Sequence, residues 1–191
     1  MARVSFFALV ALLVVGLVAS ASGSMLSPIF IIFLQDKFNA AVNIIAWAFL
    51  PSALVWALLP TRLGRLSDRF SRKPLVVLAL LVAALASFLV PRFASLAVLA
   101  ALWALEAVCF AASDPASQAL TTDLTDAGQR GRIFGIVAFA VSLGAVISPL
   151  AGGWLYESIG QAAPFVINAV VLALCALALW ATLPAPASRA G

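Results

Sequence analysis

The chain has 191 residues, 65% of them hydrophobic and 9% charged, with a formal net charge of +4. A soluble domain is nearer half apolar and a quarter charged, so the composition excludes an ordinary water-soluble globule and describes an all-α integral membrane protein in contact with a lipid bilayer. In such a chain the surplus of Lys and Arg records orientation, and no nucleic-acid partner is expected. Histidine is absent, which excludes His-based metal sites and His general bases. No metal, no cofactor and no enzymatic activity is expected. Cys109 and Cys175 lie inside apolar runs and read as small buried hydrophobes.

Taken in order, apolar runs predict six helices in one bundle spanning 1–191: about 4–34, 42–63, 75–90, 95–121, 133–155 and 163–183. At about 1.5 Å per residue the first run exceeds a hydrocarbon core of roughly 30 Å, so it must tilt or bend, with Gly16, Gly23 and Pro28 as the places. A cleavable signal peptide, with Arg3 before an apolar stretch and Ala19-Ser20-Ala21 as its cleavage site, is the rival reading. The apolar run continues well past Ala21, which favours a retained helix. Residues 35–39 read as a short polar turn. Pro51 and Pro60 lie in the second helix.

The stretch Pro60–Pro74 holds Arg62, Arg65, Arg69, Arg72 and Lys73, five of the eleven basic residues. It must be a loop at a membrane surface. The third helix is nearly devoid of polar atoms, and so is the sixth. The fourth carries Glu106, Ser113, Asp114, Ser117 and Gln118. A polar loop over 123–132 leads to a fifth helix rich in small residues. Residues 157–160 make a tight turn, and the tail 184–191 is expected to be short and disordered. Six spans with the basic loop on the cytoplasmic side put nine basic residues inside and only Lys37 and Arg92 outside. That bias places both termini in the cytoplasm of a multi-pass protein of the plasma (inner) membrane.

The chain also repeats itself. Pro60, Gly64, Leu66 and Asp68 have the spacing of Pro149, Gly153, Leu155 and Glu157, at a constant offset of 89 residues. Each half is then three helices with the same element after its second. Three is odd, so the copies face opposite sides of the membrane: a 3+3 inverted-topology repeat.

Three segments resemble the major facilitator superfamily. Gly64-Arg65-Leu66-Ser67-Asp68-Arg69-Phe70-Ser71-Arg72-Lys73 is similar to that family's loop between the second and third helices, with Ser71 where the family usually has Gly. Gly144 to Gly153 is similar to its fifth-helix G-x-x-x-G-P-x-x-G-G element, with Ser148 replacing the middle Gly. Asp123 to Gly135 is similar to the lead-in to that helix. The resemblance covers the whole chain but only one six-helix half of a family that normally has twelve. Aligned on Pro115, Trp103 stands where amino-terminal halves usually carry Arg, and the chain ends soon after its sixth helix. Both features point to a carboxy-terminal half.

The resemblance implies a secondary transporter of a small organic solute, completed by a second six-helix half or by a homodimer. It implies a cytoplasmic latch at Gly64, Leu66, Asp68, Arg69, Arg72 and Lys73, and a path lined by the first, second, fourth and fifth helices. A non-transporting membrane interaction protein, or a truncated remnant of a transporter, stays open beside it. From the residues themselves, Glu106 inside a span must face a cavity or a partner, as a proton-coupling or substrate-contacting group, or bond to a neighbouring helix. Asp114, just before Pro115, is the second candidate. Gly144, Ser148, Pro149, Gly152 and Gly153 read as a packing face with a proline hinge. Ser20, Ser24 and Ser27 share one face of the first helix, where they either line a polar cavity or let helices pack closely, and close packing is the expectation.

Overall fold

The computed structural model describes residues 2–39, 42–60 and 72–183, and all its regular structure there is helical. Among the described residues the α-helices are α1 (Ala2–Phe38), α2 (Val42–Leu58), α3 (Arg72–Leu89), α4 (Leu96–Asp123), α5 (Arg130–Ser158) and α6 (Ala163–Thr182). All but α2 are long and apolar enough to cross a membrane. In hydrocarbon every backbone N–H and C=O must be satisfied internally, so long apolar runs become helices and polar segments collect between them. Gly64, Leu66, Asp68 and Arg69 lie outside the described residues, as does the tail 184–191.

Helix α1 passes through Pro28 and continues to Phe38, through most of the predicted turn at 35–39. The turn is confined to its end: Asn39 is left-handed (φ 44°) and its N–H donates to the Gln35 carbonyl at 2.8 Å. An αL residue satisfies an orphan carbonyl of the last helical turn, and Asn tolerates that conformation. Lys37 stays helical because its amine donates to the Pro91 carbonyl at 3.2 Å, beside the 3₁₀ turn Val90–Arg92. At the end of α5, Gly160 takes a positive φ of 134°, and its N–H donates to the Leu155 carbonyl five residues back.

Helices α3 and α6 are the central pair, with α4 and α1 packed on them. The extensive contacts are α1 on α5 and α6, α4 on α2 and α3, and α3 on α6. Exchanging the first three helices for the last three maps this set onto itself, which is the signature of two equivalent three-helix units. This agrees with the 3+3 repeat that the sequence suggests.

The core lies in two layers. Toward one end Leu12 and Val15 of α1 pack with Leu80 and Ala83 of α3 and Leu172, Ala176 and Leu179 of α6. Toward the other, Leu26, Ile29, Phe30 and Phe33 meet Ile45, Leu99 and Phe165. Phe30 stacks on Trp103 with centroids 4.3 Å apart and planes 6° apart, and Phe33 meets Phe165 at 4.9 Å. Apolar side chains are also turned outward: Trp47, Leu54 and Leu58 on α2, Phe139, Val146, Leu150 and Trp154 on α5. Only Gly152 of α5 is buried.

The two ends are tied separately. At one, Lys37 reaches Pro91, and Tyr156 donates to Asp36 at 2.7 Å. At the other, Arg72 pairs with Asp123, the Lys73 amine donates to the Leu183 carbonyl, and Arg130 donates to the Thr122 and Thr125 carbonyls. Among the described basic residues, Lys37 and Arg92 thus lie at one end and Arg72, Lys73 and Arg130 at the other.

Candidate functional site

A cavity of about 540 Å³ opens between α1, α2, α4 and α5. Ser20, Gly23, Ser24 and Ser27 of α1 line it, with Phe49, Ser52 and Trp56 of α2, Trp103, Glu106, Phe110 and Asp114 of α4, and Val141 of α5. Gly23 keeps α1 low on this face: a Cβ there would stand 3.7 Å from the Phe110 ring, so any longer side chain would press on that wall. The volume and the few polar groups on a largely apolar lining are those of a small-molecule site.

The three serines therefore do not act as packing residues. The positions of α1 that meet α5 are Ala21, Met25 and Ile29, each one or two residues further round the helix, and one residue is a rotation of about 100°. Opposite them on α5 stand Gly144 and Gly152. A Cβ on Gly144 would come 3.3 Å from the Ala21 Cβ. One on Gly152 would come 2.6 Å from the Met25 Cγ and 3.1 Å from the Ile29 Cγ1. Ser148 lies between these glycines at i+4 spacing, with its buried hydroxyl oxygen unpartnered among the described residues. Gly153 faces open space, since nothing lies within 4 Å of where its Cβ would be. Pro149 sits inside an unbroken α5.

Glu106 is 5% exposed and belongs both to the cavity wall and to a buried polar chain. The Asn168 side-chain amide donates to the Glu106 Oε1 at 3.0 Å and to the Ser87 Oγ at 2.9 Å. Ser22 donates to the Asn168 Oδ1 at 2.5 Å, and Ser87 donates onward to the Phe165 carbonyl at 3.2 Å. Four helices, α1, α3, α4 and α6, are pinned together through one amide. Both amide hydrogens and both serine hydrogens are committed, so the polarity of the chain is set: Glu106 accepts at Oε1. Its Oε2 is buried without a partner among the described residues. Asp114 also lines the cavity, is exposed there, and makes no hydrogen bond among the described residues. Ser113, two residues before Pro115, donates its hydroxyl to the Phe110 carbonyl.

Arg72 and Lys73 sit at the start of α3, away from the cavity, engaged with Asp123 and Leu183. The described residues contain no group of three or more side chains suited to a metal ion. Ser22, Ser87, Asn168 and the aromatic wall are functional candidates that the sequence reading passed over. For Asn168 a signal existed: it is the single amide in the apolar run of α6, and a polar side chain inside a span faces a partner or a cavity. The aromatic residues gave none, because rings in apolar helices are equally at home in a core or against lipid.

Residues 12–191 match the description of the Major Facilitator Superfamily. The chain is 35% identical over 100 residues to the multidrug resistance protein MdtH of Photorhabdus laumondii, covering 49% of this chain and 23% of that protein. It is 35% identical over 124 residues to the class C tetracycline resistance protein of Escherichia coli, covering 62% of this chain and 30% of that protein. Among solved structures, a bacterial homolog of the human lysosomal transporter Spinster, inward-facing and occupied, superposes with a TM-score of 0.77 at 22% identity, over 94% of this chain and 44% of that one. The unoccupied form gives 0.75 at 21%. The matches thus span less than half of each of these proteins.

Proposed function

The chain belongs to the major facilitator superfamily, and from that premise we propose that it is one six-helix half of a secondary transporter for a small organic solute, driven by an ion gradient. The observation that carries this is the cavity between α1, α2, α4 and α5, whose wall includes Glu106 and Asp114, two acids among largely apolar side chains. Rocking of two bundles about a midplane site needs two bundles. The partner is a second six-helix half or a second copy, seated against the outward apolar residues of α2 and α5. Relatives named for multidrug and tetracycline resistance support an organic solute.

In this reading the chain is a carboxy-terminal half with both termini in the cytoplasm of a plasma (inner) membrane. Gly64, Leu66, Asp68, Arg69, Arg72 and Lys73 form the cytoplasmic latch. Glu106 and Asp114 serve substrate or proton coupling. Gly144, Ser148 and Gly152 carry the α1–α5 seam, with Pro149 as its hinge and Gly153 turned toward the partner.

The test is solute movement in vesicles containing the chain under an imposed proton gradient, paired with the mass of the complex in gentle detergent. The proposal expects movement from a complex larger than one chain, abolished by Glu106→Gln. Gradient-independent flux, or flux untouched by Glu106→Gln, sinks it. The exposed apolar residues of α5 also favour a second reading, a non-transporting interaction protein. That reading predicts a co-purifying protein partner and no flux with or without it.

A further inference from the structure

The polar chain behind Glu106 is more than helix packing asks for. Ser22 and Ser87 belong to the first three-helix unit, Glu106 and Asn168 to the second, so the Asn168 bonds to Ser22 and Ser87 tie one unit to the other. At the 89-residue offset of the repeat, the counterparts of Ser22, Ser87, Glu106 and Asn168 are Ala111, Ala176, Leu17 and Ala79. All four are apolar, and the three alanines are buried. Equivalent helices thus pack at the equivalent place without a polar side chain. A buried amide and carboxyl are costly to take out of water and add little net stability once bonded. Their presence at one of two equivalent places needs a reason other than packing.

Glu106 is among the residues that line the cavity, and Ser22, Ser87 and Asn168 are not. A glutamate samples several rotamers unless something selects one. The Asn168 amide selects one by donating to the Glu106 Oε1 at 3.0 Å. The amide is itself held in one orientation. Turned over, it would set its oxygen against the Glu106 Oε1 and against the Ser87 Oγ, whose hydrogen is committed to the Phe165 carbonyl. As it stands, its oxygen accepts from Ser22. Asn168 and Ser87 are wholly buried, so no bulk water competes for these bonds.

We propose that Asn168 is a positioning residue for Glu106: Ser22, Ser87 and the Phe165 carbonyl fix the amide, and the amide fixes the carboxyl. This deepens the transporter reading above and rests on it for the task that Glu106 performs. It also gives α6 a part in the site, although none of its described residues lines the cavity.

The experiment is infrared difference spectroscopy on the full chain in lipid nanodiscs, paired with movement of tetracycline, the drug for which one relative is named, in vesicles under a proton gradient. The spectrum of the chain minus that of Glu106→Gln isolates the Glu106 carboxyl absorption. The same subtraction in an Asn168→Leu background isolates it without its donor, and the band is expected to be displaced. Ser22→Ala combined with Ser87→Ala frees the amide with little loss of volume and should displace the band part of the way. That variant decides the matter if Asn168→Leu fails to fold. Gly152→Val disturbs the α1–α5 seam without touching the amide and should leave the band in place. In the vesicles Asn168→Leu should lower kcat about tenfold or more with KM little changed, and the double serine variant by a smaller factor, because misplacing a working group costs rate. A band unmoved in both network variants, a band moved as far by Gly152→Val, or a displaced band with kcat unaltered overturns the proposal. The two readings fail separately. A displaced band in a chain that moves no solute upholds the positioning of Glu106 and defeats transport. Flux abolished by Glu106→Gln, with a band that Asn168→Leu leaves unmoved, does the reverse.

Discussion

Gly152 and Gly153 are neighbours on one helix with opposite surroundings, and they offer a controlled test of the α1–α5 seam. In Gly152→Val the new Cβ would lie 2.6 Å from the Met25 Cγ, 3.1 Å from the Ile29 Cγ1 and 3.2 Å from the Met25 carbonyl oxygen. Met25 can swing aside, but Ile29 is β-branched and stiff, and the carbonyl belongs to a helix that must move as a body. Overpacking of this kind costs about 1–3 kcal/mol. For a chain of this length that corresponds to a fall in melting midpoint of about 2–12 °C. Gly153→Val meets nothing within 4 Å, and any change in intrinsic helix propensity is common to both sites. The assay is loss of the monodisperse peak after heating in detergent, for each variant and for Gly152→Val combined with Met25→Ala. Removing the Met25 side chain should restore part of the loss, a coupling of about 0.5–3 kcal/mol. If Gly152→Val and Gly153→Val melt together, or Met25→Ala gives no rescue, the two helices do not approach here as described.

Three further outcomes are expected. Asn168→Leu strips the donor from Glu106 and Ser87 and the acceptor from Ser22, and it should destabilise the bundle by about 1–3 kcal/mol in the same assay. A value near zero would mean that the four-helix network does not exist. Trp103→Leu loses the stacked pair with Phe30 and should cost about 0.5–1.5 kcal/mol beyond its lost area, seen as a lower midpoint than Phe110→Leu produces. Arg72→Ala breaks a pair whose members are 28% and 61% exposed. It should change stability by less than about 1 kcal/mol, with the residual effect vanishing in high salt.

Much of the architecture was legible in one dimension. Membership of the membrane class follows from composition, and the helices follow from runs of apolar residues too long for anything else. Their ends were less legible. The polar residues at 35–37 look like a turn, yet the helix continues because Lys37 finds the Pro91 carbonyl, more than fifty residues away in sequence. The inverted repeat, suggested by four residues at one offset, appears independently in the helix contacts, because equivalent units pack equivalently.

The site was legible only in part. A carboxyl in the middle of a span announces itself, since burying its charge is costly wherever it faces. So Glu106 and Asp114 stood out from the residue types and their positions. Which face each helix turns inward is another matter. A helix apolar on every side carries no periodic signal, so the sequence could not tell that Ser20, Ser24 and Ser27 front a cavity while Ala21, Met25 and Ile29 pack against α5. A rotation of about 100° separates the two outcomes, and only the packed neighbours decide it. Asn168 was visible as a lone amide in an apolar run, but not its role of bringing Ser22, Ser87 and Glu106 of three other helices to one amide. Sequence alone therefore determined the class, the apolar helices and the acids within them, because those depend on each residue's own transfer energy. The cavity, its aromatic wall and the unpartnered oxygen of Glu106 were decided by tertiary structure, because each depends on which other helix stands opposite.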